Sequence, residues 1–497
     1  MTRLFARTQL GSALVITSLL SGCVNFIPTY SRPALPVEDQ WPQIHASQNS
    51  LADPATIASV SDWREFVTDE KLAELIELAL ANNRDLREAL YNVVRAEAQL
   101  GLQRSTRYPD ILIQGGSQNQ RISENSNNGN SAISRQQSLN VGFNNYEIDF
   151  WGRIYSLEQQ ALENYLATVE GRRNVQISLI ANVIQAYLTL ESDLRLLALA
   201  QETFDSQQAS LRLTNISFEN GVSSGLDLAQ AQTTVATAKV DVARFTSQVN
   251  VDINALKTLV GSPFSDALLP SGDAPIAFPA LAADLPSAVL INRPDVLQAE
   301  YQLAAANANI GAARAAYFPT IALTTTGGLA STDFDDLFSG SSRAWSFIPT
   351  ISLPIFDGGE RGRSLDIAVT DQKLALNNYE RTIQTAFQEV ADALINQATF
   401  DDQIAGQKML VDAYQESFRL SELRFREGVD DYFNVLDSQR SYYTAQQTLI
   451  STELNAQLNI VTLYKALGAG WVETDVPVPL TSDMYSGIEG LEDKTEE

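Results

Sequence analysis

"NNRDLREALYNVVRAEAQLGLQRSTRYP" (Asn82–Pro109) returns, altered but recognisable, as "NRPDVLQAEYQLAAANANIGAARAAYFP" (Asn292–Pro319). At an offset of 210, Asp85 meets Asp295, Ala98 meets Ala308, Gly101 meets Gly311, Arg104 meets Arg314 and Pro109 meets Pro319. Further on, "DFWGR" (Asp149–Arg153) matches "IFDGG" (Ile355–Gly359) at offset 206, and "RLTNISFENGVSSGLDLAQAQ" matches "RLSELRFREGVDDYFNVLDSQ" at offset 207. A long chain that repeats its parts in the same order is built twice from one unit, and the fold follows from that unit.

The unit can be decoded by period. Arg153 to Asn220 holds no proline and one glycine, Gly171; Arg363 to Glu427 holds no proline and only Gly406. Each run predicts one helix on the order of 100 Å long at about 1.5 Å per residue. Ile177, Ile180, Ile184, Tyr187, Leu190, Leu194 and Leu197 step by three or four, and Ile383, Phe387, Val390 and Leu394 repeat the spacing. A stripe this narrow predicts a coiled-coil seam. Gly221-Val222 and Gly428-Val429 end the runs, glycine being the usual stop after a last helical turn. Helices over Leu226–Val260 and Phe433–Leu467 return, so each half contains a long antiparallel helical hairpin.

Ahead of each long helix the texture changes. Ile111–Ser117 and Leu139–Phe150 bracket a polar stretch, as do Thr320–Gly327 and Trp345–Phe356. Trp345, Phe347, Ile351, Leu353 and Ile355 share one parity, the period of a strand. Leu139, Val141 and Phe143 alternate too, then slip phase to Tyr146, Ile148 and Phe150, which a bulge or a change of environment would produce. About ten alternating residues per strand, joined by a polar loop, is the pattern of an outer-membrane barrel. Four strands cannot close one. In lipid an open edge strands backbone groups at several kcal/mol each, so other chains must complete the wall, two giving 8 strands and three giving 12.

The N-terminus carries Arg3 and Arg7, then no charge from Thr8 to Ser31, with an apolar run Leu10–Leu20. That run is too short to span about 30 Å of hydrocarbon and has the layout of a secretory signal peptide. It exits through Leu20-Ser21-Gly22-Cys23, the only cysteine in 497 residues, which resembles a bacterial lipobox. That resemblance implies cleavage before Cys23 and a diacylglycerol on its thiol, the thioether being made from the nucleophilic thiolate; Val24 in place of aspartate favours sorting to the outer membrane.

A net charge of −26 argues against nucleic-acid binding, which wants basic patches, and makes any enclosed cavity attractive to cations. One His and one Cys leave little for a metal site. Gly221–Gly225 fits G-x-S-x-G, but that elbow needs a strand before its serine, and helices flank both sides here. The lone histidine, His45, is remote in sequence. Neither a Walker P-loop nor a Rossmann glycine fingerprint occurs, so energy for transport must come from a partner.

The repeat, "YFPTIALT", the "YEIDFWGR" passage from strand into helix, the "RPDVLQAEYQLAAANANIGAARAAYFP" block and the lipobox together resemble the TolC-like outer-membrane factors, specifically the lipoprotein branch serving resistance-nodulation-division (RND) efflux pumps. The resemblance covers nearly all of the mature chain. It implies an α+β membrane protein: a homotrimer with a 12-strand outer-membrane β-barrel, continued by a 12-helix periplasmic tunnel of α-helical coiled-coil hairpins.

On this reading 1–22 is the signal peptide and 23–70 a lipidated linker with part of an equatorial layer. The first repeat, 71–261, has a hairpin at 111–150, a long helix at 153–220 and a return helix at 226–260. A linker at 262–291 leads to the second repeat, 292–468, with a hairpin at 320–356, a long helix at 360–427 and a return helix at 432–467. An equatorial segment and an acidic tail fill 469–497.

The implied role is a passive export duct, with no enzyme activity, no cofactor beyond the lipid on Cys23 and no metal. Its partners would be a periplasmic adaptor, an inner-membrane RND-type pump and outer-membrane lipid. The alternatives are a duct for type I protein secretion and a non-transporting coiled-coil lipoprotein. The resemblance places a periplasmic gate in "FREGVDDYFNVLDSQR", at Asp430, Asp431, Asp437 and Arg440. Some family members carry another acid where Asn434 stands and an arginine where Asp430 stands. Asp437 and Arg440, three apart on one helix face, can pair. Asn220, Gly221, Val222, Ser223, Ser224, Gly428 and Val429 would form the tips that meet the adaptor.

Overall fold

The computed structural model describes residues 25–41, 62–123, 132–272, 275–279 and 287–469. Cys23, His45 and the acidic tail lie outside them. Eleven elements carry the argument, and their order is itself duplicated. After α1 (Glu70–Asn82), the first pass runs α2 (Arg84–Ser105), β1 (Leu112–Ile122), β2 (Ala132–Ile148), α3 (Arg153–Glu219) and α4 (Gly225–Val260). The second runs α5 (Pro294–Ala315), β3 (Thr320–Ser331), β4 (Arg343–Ser352), α6 (Glu360–Arg426) and α7 (Tyr432–Ala466). The two proline-free runs are unbroken helices of 67 residues each. Among the described residues, no helix is long and apolar enough to cross a membrane. The chain divides into two compact units, each drawing on both repeats.

The first unit comprises the described parts of Met1–Pro33, Val93–Thr168 and Gln298–Tyr379. Its sheet is antiparallel with order β1-β2-β3-β4, so among the described residues β1 and β4 each pair on one side only. Between Phe143 and Tyr146 the β2–β3 register shifts by one extra residue on β2. Asn145 takes up the bulge at φ 53°, a conformation asparagine tolerates better than most residues, and its N–H donates to Thr324 Oγ1 at 2.9 Å. The phase slip in the sequence is therefore a bulge.

The strand ends differ from the sequence expectation. β1 continues to Ile122 and β2 begins at Ala132, with Ser117↔Gln137 through Ile122↔Ala132 in register, so most of the stretch expected as a polar loop is strand. Ladder bonds are made by backbone, and a polar side chain facing water does not prevent them. Conversely, β4 stops at Ser352, two residues before Pro354, and the alternating Leu353 and Ile355 lie beyond it. Apolar side chains on these strands are bare: Ile113, Trp345, Phe347 and Ile351 are all exposed.

In the same unit an extended strap, Asn25–Pro33, is laid along α5 in the opposite direction. Phe26 stacks on Phe318 at 4.6 Å and its carbonyl accepts from Arg314. Ile27 presses on Gly311, the Pro28 carbonyl accepts from Asn307 at 2.8 Å, and Arg32 Nε donates to Glu300 Oε1 at 2.7 Å. From Ile27 to Arg32 five extended steps run alongside the eleven helical steps from Gly311 to Glu300, because five rises of about 3.3 Å equal eleven of about 1.5 Å.

The second unit comprises the described parts of Ala34–Asn92, Val169–Leu297 and Glu380–Glu497. Trp63, Phe66, Leu72, Leu75, Ile76 and Ala79 are fully buried in it. Phe66 stacks on Tyr464 at 3.9 Å and on Phe278 at 5.0 Å. The seam of α3 is wider here than the sequence stripe. Besides Ile177, Ile180, Ile184, Tyr187 and Leu190, the off-stripe residues Leu179, Ala181, Val183 and Leu188 are buried. Tyr187 bonds Asp69, the cap of α1, so this stretch packs into a layered core and not only against one partner helix. Along the last turns of α6, from Asp401 to Arg426, most side chains are exposed.

Candidate gate and docking tips

Two helical hairpin ends in the second unit hold the residues singled out by sequence. Both close by the same backbone device. Gly221 (φ 73°) and Gly428 (φ 71°) are left-handed. Gly221 N–H donates to Phe218 O and Val222 N–H to Ser217 O; Gly428 N–H donates to Phe425 O and Val429 N–H to Arg424 O, all at 2.8–3.0 Å. This is the Schellman closure, and it satisfies carbonyls that a helix end otherwise leaves orphaned. Val222 is 81% exposed and Val429 62%.

The restarts differ. Ser224 caps α4 in a full capping box with Asp227: its hydroxyl accepts from Asp227 N–H at 3.2 Å, while Asp227 Oδ2 accepts from Ser224 N–H at 2.8 Å. Ser224 also donates its hydroxyl to Asp227. The serine of the G-x-S-x-G match is its neighbour Ser223, whose N–H donates to Ser217 O at 3.3 Å, in a turn with a helix on either side. Asp431 caps α7 in extended conformation without a side-chain capping bond, and its carboxylate is exposed. Asn220 is spent on its own helix, donating to Ile216 O at 2.7 Å. Beneath the tips Ala231, Tyr432 and Val435 form a small buried cluster, flanked by Leu211, Phe418 and Leu436. Burial raises the Tyr432 phenol above its ordinary range, opposed by contacts with Thr214 and Ser210.

Of the four acids and bases expected at the gate, three enter ion pairs. Asp430 is held across the turn by Arg424, in a two-pronged bond at 2.6 and 2.9 Å. That hydrogen bond keeps the Asp430 carboxyl below the usual carboxylate range. Arg440 Nη2 donates to Asp437 Oδ1 at 2.5 Å. Both of these side chains are largely exposed and line a groove of about 370 Å³ formed by α3, α4 and α7. Sequence reasoning missed the groove's other wall. Asp241 on α4 accepts from the Tyr443 hydroxyl at 3.3 Å and from Arg244 at 2.9 Å. Burial first, and then Asp241, push Tyr443 up to about 12. The signal was present: Asp241 and Arg244 stand three apart, as Asp437 and Arg440 do.

These hairpins present charged, exposed ends on a scaffold of paired long helices, attached in sequence to strands that are incomplete alone. The model of the outer membrane efflux protein family matches residues 75–262 and 285–469. The chain belongs to that family. It is 43% identical over 464 residues to the probable efflux pump outer membrane protein TtgC of Pseudomonas putida, covering 93% of this chain and 96% of that one. To outer membrane protein OprJ of Pseudomonas aeruginosa it is 38% identical over 465 residues, with the same coverage. Among solved structures it resembles a membrane protein from Pseudomonas aeruginosa, with TM-score 0.84, 37% identity, and 91% of this chain and all of that one covered. It also resembles the open state of the MtrE outer membrane channel of Neisseria gonorrhoeae, with TM-score 0.79, 32% identity, and 90% and 98% covered. The family model matches in two segments, one on each repeat.

Proposed function

We propose that this outer-membrane protein is the exit duct of a tripartite efflux pump, carrying small toxic compounds outward without chemistry of its own. The observation that carries the reading is the open sheet. About five residues on each outer edge of β1 and β4 turn backbone N–H and C=O groups outward, and in hydrocarbon each unmet group costs several kcal/mol. Tens of kcal/mol therefore oppose a lone chain in lipid. Three copies offer 12 strands, wide enough for a channel that 8 strands would fill with side chains. The exposed side chains of α6 from Asp401 to Arg426 support the same need for neighbours. A lipid on Cys23 adds an anchor. The hairpin tips meet a periplasmic adaptor that couples the duct to an inner-membrane RND-type pump, and Asp431, Asp437 and Arg440 contribute the closure there.

The purified protein should run as a trimer and conduct ions in planar bilayers, and Asp437→Ala with Arg440→Ala should raise single-channel conductance. A stable monomer, or a trimer that never conducts, refutes the duct. A deletion strain should become drug-sensitive; loss of a secreted protein with unchanged drug sensitivity would point instead to type I secretion.

A further inference from the structure

The two repeats anchor the bases of their hairpins in the same place but with different chemistry. Asn83 and Arg293 correspond at offset 210, and each precedes the first helix of its repeat. Each also grips the end of its repeat's returning helix. Asn83 Nδ2 donates to Leu259 O at 2.8 Å, and Arg293 Nη1 donates to Ala466 O at 2.5 Å. Leu259 and Ala466 correspond at offset 207, as do Gly261 and Gly468, both left-handed at φ 73° and 71°. An added Cβ at Gly261 would lie 2.7 Å from Asn82 O, and one at Gly468 would lie 3.0 Å from Arg293 Cγ. Each returning helix thus ends against the residue that starts its own repeat.

The chemistry then diverges. Asn83 spends its other side-chain bond on its own helix, accepting from Leu86 N–H at 3.0 Å. Arg293 is buried and spreads a charge over three elements: Asp295 at the start of α5 by two bonds of 3.0 and 2.7 Å, Ala466 O at the end of α7, and Glu389 on α6 at 2.9 Å. The α3 position corresponding to Glu389 at offset 207 is Asn182, exposed and neutral. Both limbs of the second hairpin, α6 and α7, are therefore held by one guanidinium, whereas the first hairpin has a neutral amide on its returning limb. An ion pair with Glu389, whose side chain is 46% exposed, is weakened by salt in a way that a neutral bond is not.

We propose that Arg293 is a positioning residue for the gate: with Glu389 it forms an ionic pivot at the base of the α6–α7 hairpin, which the α3–α4 hairpin lacks. The consequence at the gate rests on the function proposed above. Glu389 is 37 residues from Arg426, a lever of about 55 Å at 1.5 Å per residue. A turn of about 5° at the pivot moves the tip by about 5 Å over that length.

The test is a spin-label distance between Val222→Cys and Val429→Cys in the full-length protein, the labelled chains diluted with unlabelled ones. Glu389→Gln keeps the volume and leaves Arg293 bonded to Asp295 and Ala466. It should broaden or shift the tip-to-tip distance by about 5 Å with an unchanged thermal midpoint. Glu389→Asp should recover part of the wild-type distribution, and Asn182→Ala should leave it unaltered. Raising salt to about 1 M should move the wild type toward the Glu389→Gln distribution and leave the variant in place. Unchanged distances in Glu389→Gln, or equal broadening in Asn182→Ala, overturn the pivot. A protein that conducts no ions would refute the channel and leave the distances to decide the pivot separately.

Discussion

Gly101 and Gly311 occupy the same position in the two repeats, yet replacing each by alanine should change stability in opposite directions. At Gly101 an added Cβ meets nothing within 4 Å. Alanine there removes the entropic penalty of a helical glycine, so Gly101→Ala should stabilise by about 0.5–1 kcal/mol. At Gly311 the same atom would lie 2.6 Å from Ile27 Cγ1, 2.7 Å from Ser156 Oγ and 2.9 Å from the Ile27 backbone N. The two side chains could rotate away, but the backbone nitrogen moves only if the strap lifts. Lifting it loosens the Asn307–Pro28 bond, the Arg314–Phe26 bond and the Phe26–Phe318 stack. A hydrogen bond contributes about 1 kcal/mol net, an aromatic pair about 0.5–1.5, and overpacking costs about 1–3. Set against the propensity gain, Gly311→Ala should destabilise by about 1–3 kcal/mol. Chemical-denaturation midpoints would give the two signs, and limited proteolysis within Asn25–Pro33 would show whether the strap has lifted. If Gly311→Ala proves as stable as Gly101→Ala with an uncleaved strap, the close approach described for Ile27 is wrong.

Gly142→Ala would put a Cβ 2.1 Å from Thr325 O, whereas Gly327→Ala meets nothing, so the first should abolish membrane assembly and the second should not; membrane-fraction yields decide it. Asp193 lies beside Asp252, and burial first, then its bond to that carboxyl, push it up to about 7. A carboxyl raised in the folded state favours folding below its unfolded value and loses that advantage as pH rises toward 7, so Asp193→Asn should gain most over the wild type above pH 7 in thermal melts. Asp430 is shifted the other way, so its bond to Arg424 persists above the ordinary aspartate range and is lost as pH falls through its lowered value. Amide exchange at residues 424–430 should accelerate only in acid, and Asp430→Asn should remove that acid dependence.

The long helices were legible because each run of more than sixty residues holds no proline and a single glycine, a scarcity no sheet or loop requires. The hairpin ends were legible because a left-handed residue after a last turn selects glycine. The bulge in β2 announced itself as a slip in parity from Phe143 to Tyr146. What stayed hidden has physical reasons. Strand residues 117–122 and 132–138 are polar yet paired, because the ladder is a backbone property and alternation marks only faces that meet something apolar. The broad burial of α3 around Ile180 depends on a layer assembled from distant segments, and the strap at Asn25–Pro33 is extended without any period. The Arg424–Asp430 bond stayed hidden because only a left-handed turn brings residues six apart together. Asp241 and Tyr443 joined the groove only when two helices distant in sequence were laid side by side.

The matching closures at Gly221 and Gly428 have an evolutionary corollary. Their shape is held by main-chain bonds and one glycine apiece, not by the identity of the flanking side chains. Descendants of the duplicated unit could therefore change the outward-pointing residues of either tip independently, while keeping one backbone scaffold for both.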